Sequence, residues 1–450
     1  MLRWRATCVI VTLGLSVFAR AEPPRVVSAS PDHGDVGVDP ATSEIRIEFD
    51  QAMSPAGQSI CGGGPRFPKL SGPPKWARAE DGVVRILVLP VLLAPEHLYE
   101  LSVNCASFRG TRSATGEPAE ITQIRFATGP MSKPGATPVA PALPTPDQNK
   151  AAIAALRKAI DTQYSYRDRV VTNWPARFDA AAPALEAATT RAAFARAAAR
   201  LLEPANDLHL NLRVGEAVFP TARGGPPANI NTATLPKSVQ GFKWQSAGVA
   251  TGRFDDGVGY ILLTGWSSDA GSLAPALAAL DQWRDAPGLI IDVRANGGGD
   301  ERTARTFASR FVRSKAVYSK SEIRTPEGFS GPFERTIEPA PPEQRFPGKV
   351  VVLIGPACMS SNESFVLMMR HGAGAALVGD RTRGSSGNPK PYDLGNGVTA
   401  LVPSWRDLLP DGSLLEGAGV EPDLRVPVTS TQLEGGDPVL QAGLARVRQR

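Results

Sequence analysis

Histidine and cysteine are both scarce in this chain, which has four of each among its 450 residues. No group of His, Cys and Asp residues has the spacing of zinc ligands, so the sequence predicts neither a metal site nor a cofactor. No run of Lys and Arg alternates with aromatic residues, and this absence argues against a nucleic-acid partner. Beyond residue 21, no apolar run is long enough for a membrane helix.

Residues 1–21 have the pattern of a secretory signal peptide. Arg3 and Arg5 form the basic start, Val9–Phe18 the apolar stretch, and Ala19-Arg20-Ala21 the small-x-small cleavage site. Cleavage would remove three arginines and no acid, lowering the formal net charge from +5 to +2, that is 46 basic minus 44 acidic residues. The basic character is thus partly a property of the signal. We expect export to the periplasm or the extracellular space.

Three cysteines would remain after this cleavage. Cys61 and Cys105 lie in the same N-terminal segment, and in an oxidising compartment they are able to pair. Cys358 would then be the odd thiol. We interpret it as a small buried apolar group rather than as a nucleophile.

Residues 22–129 contain short alternating strands, such as Ser43–Phe49 and Gly82–Leu89, separated by turn residues. This spacing predicts a small antiparallel β-sandwich. The stretches Val26–Pro40 and Phe126–Thr128 resemble the bacterial Ig-like module of exported proteins. The resemblance implies a role as a spacer or an adhesion unit.

The remaining chain divides by composition. Residues 130–148 are rich in Pro and Ala and predict an extended linker. Residues 149–215 predict a helical cap region with helices over Lys150–Tyr166 and Phe178–Leu202. Residues 216–430 alternate strands with helices, which is typical of an α/β domain, and residues 431–450 form a C-terminal tail. The predicted fold class is therefore multidomain, a β-sandwich followed by an α/β domain with a small helical cap.

Ser360 follows an apolar strand, Val350–Ile354, and a Gly-Pro turn, and it precedes an apolar helix. A serine at such a helix start lies beside free backbone amides and the positive end of the helix dipole, which suit an oxyanion. The alternative interpretation is an ordinary N-cap serine. The residues elsewhere in the chain favour the nucleophile.

A second strand, Leu289–Val293, leads into the glycine run Gly297–Gly299. Glycines there allow backbone amides to approach a ligand closely. The run lacks the spacing of a Walker loop or a dinucleotide fingerprint, so we do not expect nucleotide binding. Asp292, Arg294 and Asn296 are predicted to organise this loop through hydrogen bonds.

A serine nucleophile needs a base, and neutral imidazole is the usual one. His33 and His97 lie in the N-terminal module, and His371 lies on the same predicted helix as Ser360, about 16 Å along its axis at 1.5 Å per residue. That leaves His209 as the candidate base.

Four motifs occur in a characteristic order: Val293–Gly299 (VRANGGG), Ser360-x-x-Glu363, Val378–Gly384 (VGDRTRG) and Glu416–Asp423 (EGAGVEPD). Over about residues 150–430 they resemble the C-terminal-processing and tricorn-type serine peptidases. The resemblance implies a crotonase-like α/β fold, peptide or protein substrates and Ser360 as the nucleophile. It also implies an oxyanion hole formed by the amide of Ser361 and that of Gly297 or Gly298.

The chain departs from the processing branch at the base. Ser385 stands where that branch has a catalytic lysine, and a hydroxyl has no usable proton-accepting pKa near neutrality. We therefore expect Ser385→Ala to leave substantial activity. His209 and Glu416 fall where the tricorn-type branch has its histidine and glutamate. In that branch a serine immediately before the histidine links it to the glutamate, and this chain has Leu208 there. Asp207, a water or a direct contact of Glu416 with His209 would have to replace that link.

A further departure is one of length. Between His209 and the strand at Val258 there is too little chain for the PDZ domain of the processing branch. The sequence thus predicts a secreted serine-type endopeptidase with Ser360, His209 and Glu416 as catalytic residues. The alternatives are a non-hydrolytic ligand- or peptide-binding protein on the same scaffold and a surface adhesion protein.

Overall fold

A computed structural model describes residues 22–105, 108–130, 144–222 and 227–449. The chain divides into two compact units, residues 1–142 and 143–450. The predicted signal peptide lies outside the described residues, as does most of the predicted linker. Within the described ranges, no helix is both long and apolar enough to cross a bilayer.

The strands of the first unit, in chain order, are β1 (Val26–Ser30), β2 (Glu44–Phe49), β3 (Ile60–Cys61), β4 (Lys69–Leu70), β5 (Lys75–Arg78), β6 (Val84–Leu92), β7 (Leu98–Val103) and β8 (Thr122–Ala127). The second unit begins with α1 (Pro146–Gln163), α2 (Trp174–Glu186), α3 (Arg191–Leu202), β9 (Asn211–Val214), β10 (Ala217–Pro220), α4 (Leu235–Ser238), β11 (Gln240–Trp244), β12 (Val249–Arg253), β13 (Gly259–Leu263), α5 (Ala274–Gln282), β14 (Gly288–Asp292), α6 (Glu301–Ala308), β15 (Ala316–Thr325) and β16 (Gly328–Ile337). It continues with β17 (Lys349–Ile354), α7 (Ser361–Leu367), β18 (Ala376–Gly379), β19 (Pro389–Asp393), β20 (Thr399–Pro403), β21 (Trp405–Leu408), β22 (Leu424–Arg425), α8 (Ser430–Gly435) and α9 (Pro438–Arg448).

The first unit is built from antiparallel sheets. One has the order β1-β2-β6-β4 with β5 beside β6, and the other has the order β3-β7-β8. Alternate residues of both sheets, such as Ile47, Leu87, Leu101 and Phe126, share one apolar core. The sheet-rich N-terminal region is confirmed, whereas its Ig-like character stays a prediction.

Cys61 and Cys105 form a disulfide that joins β3 to the end of β7, with their Cα atoms 6.1 Å apart. Cys358 is a free, buried thiol, and its Sγ donates to the carbonyl of Val293 at 3.1 Å. These states agree with the sequence interpretation of all three cysteines.

Helices α1, α2 and α3 pack on an antiparallel sheet of order β10-β9-β20-β19. The predicted single helix over Phe178–Leu202 is wrong, because the chain forms two helices there. Thr190 starts the second one by accepting the Ala193 N–H at 3.0 Å. The Ala-rich periodicity hides this break, since alanine fits a helix and its flanking turn alike. Strands β19 and β20 belong to this layer although they come late in the sequence.

The largest sheet has the order β11-β12-β13-β14-β17-β18-β22, and its strands run parallel from β13 onward. Ile291 and Val352 face a core shared with α5, α6 and α7. Ile290 and Val351 face the opposite core, which contains residues of α4 and α9. Burial on both faces explains why these strands read as continuous apolar runs. A third sheet, β16-β15-β21, completes the second unit.

The parallel pairing of β14 with β17 positions the candidate site. Ile290 pairs with Val351 and Asp292 with Leu353, so both strands end at the same edge of the sheet. The glycine run therefore leaves β14 beside the turn that carries Ser360 from β17 into α7. Helix α7 continues as a π-helix over Met368–Gly372, which contains His371.

A buried ion-pair network links this region to the C-terminal helix. The Arg294 guanidinium contacts Asp292 at 2.6 Å and Asp437 at 2.7 Å, and all three side chains are almost fully buried. Tyr260 donates its hydroxyl to Asp292 at 2.7 Å. Asp437 also caps helix α9 by accepting the Leu440 N–H.

We predict that Arg294→Met lowers the free energy of unfolding by about 3–5 kcal/mol, because it leaves two buried carboxylates without a counter-charge. The control is Arg448→Met, which removes an ion pair with Asp256 whose side chains are 46% and 39% exposed. The control should cost at most about 1 kcal/mol. Urea unfolding of the full chain, followed by tryptophan fluorescence, measures both. Equal losses in the two variants would contradict the role assigned to Arg294.

Candidate active site

Ser360 lies where the chain turns from strand β17 into helix α7. Its backbone has φ 59° and ψ −135°. Such a conformation costs a non-glycine residue on the order of 1–3 kcal/mol and persists only where its surroundings hold it. The Ser360 N–H donates to the Ser385 carbonyl at 2.7 Å, and the Ser360 carbonyl accepts the Glu363 N–H at 2.8 Å.

The Ser360 hydroxyl makes no capping hydrogen bond to helix α7, although the residue occupies the N-cap position. An ordinary N-cap serine would accept an amide of the first turn. A strained serine between a strand and a helix is instead the arrangement that exposes a nucleophile in α/β-hydrolases. The geometry therefore favours the nucleophile over the cap.

The glycine run contacts both Ser360 and Ser361. A Cβ on Gly298 would lie 2.8 Å from the Ser360 Cβ and 3.2 Å from the Ser361 amide nitrogen, and Gly298 has φ +106°. Ser361 donates its hydroxyl to the Gly299 carbonyl at 2.7 Å. Only glycine at position 298 permits this close approach.

The predicted oxyanion amides differ in their present partners. The Gly298 N–H donates to the Asn296 Oδ1 at 2.9 Å, so Asn296 organises the loop as expected. For the amides of Gly297 and Ser361 we find no acceptor among the residues that the structure describes. The backbone N–H groups of Gly297 and Ser361 are therefore both available to an oxyanion, whereas that of Gly298 is already bonded.

Glu363, on the first turn of α7, binds the loop that follows β18. Its Oε1 accepts the Thr382 hydroxyl and, at 2.7 Å, the Gly384 N–H, while its Oε2 accepts the Ser385 N–H at 2.9 Å. The side chain is fully buried, and burial raises the pKa of Glu363 to about 7 against the lowering effect of these donors. Two motifs that are separate in sequence thus form one structural unit.

His209 lies just before strand β9 and is 8% exposed. Its Nδ1 is 3.2 Å from the Ser385 Oγ. Its backbone N–H donates to the Asp207 Oδ1 at 2.8 Å. Burial lowers the pKa of His209 below its usual value, while the charges of Asp207 and Asp407 act in the opposite direction.

Asp207 is fully buried beside His209, and its Oδ2 accepts the Tyr164 hydroxyl at 2.9 Å. Burial raises the pKa of Asp207, and the nearby His209 opposes that shift. A negative charge on Asp207 favours the protonated form of His209. Asp207 is one of the three replacements that the sequence suggests for the serine missing at position 208.

Glu416 contacts the next residue of the same loop. Its Oε2 accepts the Ser386 N–H at 2.8 Å, and its Oε1 lies 3.8 Å from the Arg169 guanidinium. Burial, together with the charge of Asp207, raises the pKa of Glu416 to about 8. No hydrogen bond joins Glu416 to His209 within the described part of the chain. Ser360 and His209 thus both contact Ser385, whereas Glu416 contacts Ser386.

Ser360 opens onto a cleft of about 470 Å³. Trp405 lines this cleft, whereas Arg406 pairs with Glu322 and stacks 3.6 Å from the ring centre of Phe329. Both residues lie on strand β21. Because alternate residues of a strand face opposite sides, only one of the two can face the cleft.

Asp407 is a buried cleft residue that the sequence reasoning missed. It forms an ion pair with Arg335, which also donates to the Ser364 hydroxyl at 3.2 Å. The period of two along β21 would have placed Asp407 on the same side as Trp405. In the described ranges, no group of His, Cys, Asp and Glu residues is arranged to hold a metal ion.

Comparisons with known proteins point to peptidases. Residues 257–426 match the family model described as peptidase family S41. The carboxy-terminal processing proteases CtpA and CtpB of Bacillus subtilis strain 168 are each 25% identical to this chain, over 174 and 170 residues. Each match covers 38% of this chain, 35% of CtpA and 34% of CtpB. The chain therefore spans about a third of the length of these curated relatives.

A solved structure of a candidate peptidase from Parabacteroides merdae has the same fold as much of this chain. The superposition has a TM-score of 0.57 at 23% identity and covers 68% of this chain and 97% of that one. At this identity the likeness concerns the fold, and it agrees with the α/β architecture of the second unit.

We predict that Glu363→Gln accelerates amide hydrogen exchange at Gly384 and Ser385. The amide group of glutamine can present its oxygen to only one side, so a buried N–H of the loop would lose its acceptor, at a cost of about 1–3 kcal/mol. The control is Glu421→Gln, since the Glu421 side chain is 61% exposed in a 3.8 Å pair with Arg381. Unchanged exchange in Glu363→Gln would show that the carboxylate does not hold the loop.

Proposed function

Because residues 257–426 match the model of peptidase family S41, we propose that this chain is a serine-type endopeptidase that cleaves peptide bonds through an acyl-enzyme on Ser360. The observation that carries the proposal is the strained backbone of Ser360 and its hydrogen bond to the Ser385 carbonyl. The Ser385 hydroxyl in turn contacts the His209 ring. The substrate is a peptide or protein.

In the proposed reaction the Ser360 Oγ attacks the carbonyl carbon of the scissile bond while the Nε2 of His209 accepts the hydroxyl proton. The amides of Ser361 and Gly297, with Gly298 as the alternative donor, stabilise the oxyanion of the tetrahedral intermediate. His209 then donates its proton to the leaving amine. Water attacks the acyl-enzyme with the same histidine as base and regenerates Ser360.

Two carboxylates support the base in different ways. Asp207 stabilises the imidazolium by its charge, since it lies beside His209 and opposes the fall of its pKa. Glu416 acts one residue further away, by holding the Ser386 amide. We accordingly expect Glu416→Gln to cost less activity than removal of His209.

The proposed domain organisation follows the sequence. Residues 1–21 direct export to the periplasm or extracellular space, and the Cys61–Cys105 disulfide fits such an oxidising compartment. Residues 22–129 form an Ig-like module that serves as a spacer, and 130–148 a linker. Residues 149–215 form, together with β19 and β20, the cap region of a crotonase-like peptidase domain over 216–430. Residues 431–450, which the sequence predicts as a C-terminal tail, instead pack helix α9 against the core of that domain.

A fluorophosphonate probe tests the nucleophile. Wild-type protein should label, and Ser360→Ala should not, because the hydroxyl that forms the covalent bond is gone. His209→Ala should slow labelling by roughly 10²–10⁴-fold, the usual contribution of a general base. Ser246→Ala, at an exposed serine, is the matched control and should label like wild type. Absence of labelling in folded wild-type protein would favour the non-hydrolytic binding protein, for which Leu208 is the motivating observation.

The pH dependence of kcat/KM tests the base. Activity requires neutral His209, so kcat/KM should rise as the pH increases through the pKa of His209. Burial places that pKa below the usual 6.5. Asp207→Asn should shift the midpoint to still lower pH, because the imidazolium loses a stabilising charge. His371→Gln is the histidine control and should leave the midpoint in place. A midpoint at clearly alkaline pH would indicate an amine base instead.

A further inference from the structure

Ser385 makes three contacts at the centre of the candidate site. Its carbonyl accepts the Ser360 N–H at 2.7 Å. Its N–H donates to the Glu363 Oε2 at 2.9 Å, and its Oγ lies 3.2 Å from the His209 Nδ1. The side chain is 4% exposed. One residue thus touches the nucleophile through its backbone and the histidine through its hydroxyl.

A histidine base needs a fixed tautomer. Its Nε2 must be unprotonated to accept the serine proton, so the Nδ1 must carry the hydrogen and donate it to a partner. Asp207 does not fill that place, because its Oδ1 accepts the His209 backbone N–H and its Oδ2 accepts the Tyr164 hydroxyl. Glu416 accepts the Ser386 amide. Within the described residues, the hydroxyl of Ser385 is the hydrogen-bond partner of the His209 ring.

We propose that Ser385 is a positioning residue for His209: its Oγ accepts the Nδ1–H and fixes the tautomer in which Nε2 faces Ser360. This inference rests on the proposed function, in which His209 is the base. It supplies, from a different loop, the hydroxyl expected before the histidine, where this chain has Leu208. It also replaces the sequence expectation that Ser385→Ala leaves substantial activity.

The Ser385 hydroxyl is well placed for this role because its backbone cannot move freely. Glu363 accepts the backbone N–H groups of both Gly384 and Ser385. The Thr382 hydroxyl donates to Glu363 and accepts the Val420 N–H at 2.7 Å. A shift of the loop would therefore break several buried hydrogen bonds together. Ser385 therefore connects the Ser360 backbone to the His209 ring through hydrogen bonds.

The direct test is the tautomer of His209, measured by ¹⁵N–¹H NMR of histidine-labelled full-length protein at a pH of about 8, where imidazole is neutral. His209→Gln assigns the resonance. Wild type should show Nδ1 protonated and Nε2 unprotonated. Ser385→Ala should lose this preference, whereas Ser385→Thr, which keeps the hydroxyl, should retain it. Ser246→Ala is the matched control.

Kinetics supply a second readout. Ser385→Ala should lower kcat about 10- to 100-fold with KM nearly unchanged, by analogy with the loss seen when the partner that orients a metal-bound histidine is removed. Ser385→Thr should recover most of the loss. An Nε2-protonated ring in wild type, or the same tautomer and kcat in Ser385→Ala as in wild type, would overturn the inference. Since the tautomer is measured without substrate, its result holds even if Ser360 proves not to be a nucleophile. Failure of the proposed function would appear separately, as wild-type protein that does not label.

Discussion

The hydrogen bonds between the buried Glu363 carboxylate and the Thr382–Ser385 loop are the interaction on which the site depends. Glu363 lies one turn after Ser360, on α7. Its hydrogen bonds therefore connect the segment that carries Ser360 to a loop that follows a different strand. Three donors converge on the carboxylate, and burial raises its pKa to about 7. A buried polar network of this kind specifies one arrangement only when all its members are satisfied. Through Ser385, this arrangement extends to the backbone of Ser360 and the ring of His209.

The sheet provides the other constraint. Strands β14 and β17 are parallel neighbours buried on both faces, so the segments that leave their carboxyl ends meet. One segment carries Gly298, and the other carries Ser360. The close approach that glycine allows then brings the Ser361 amide and the glycine loop to the same edge of the cleft. Arg294 anchors the base of this loop to the C-terminal helix through Asp437.

Local patterns in the sequence predicted much of this. The strand, turn and helix around Ser360, the glycine run after β14, the cysteine pairing and the choice of His209 as the base candidate came from periodicity, spacing and elimination. Contacts between segments that are distant in sequence could not be predicted from such patterns. Ser385 and His209 are 176 positions apart, and no local pattern reports which backbone groups a buried glutamate will bind. Ser385 was dismissed as a base, and its value as a hydrogen-bond partner became visible only when the loops were placed together. The break between α2 and α3 was missed because the alanines on both sides continue the helical pattern, although Thr190 is a helix-start signal.

The most direct measurement is a crystal structure of the chain treated with a peptidyl boronic acid, which mimics the tetrahedral intermediate. We expect a covalent bond from boron to the Ser360 Oγ. We also expect a boronate oxygen within about 2.7–3.1 Å of the Ser361 amide and of a glycine amide of the 297–298 pair. The His209 ring should keep its Nδ1 on the Ser385 hydroxyl and turn its Nε2 toward the boronate. A boronate bound without a covalent bond to Ser360, or bonded to another residue, would contradict the role of Ser360 as the nucleophile.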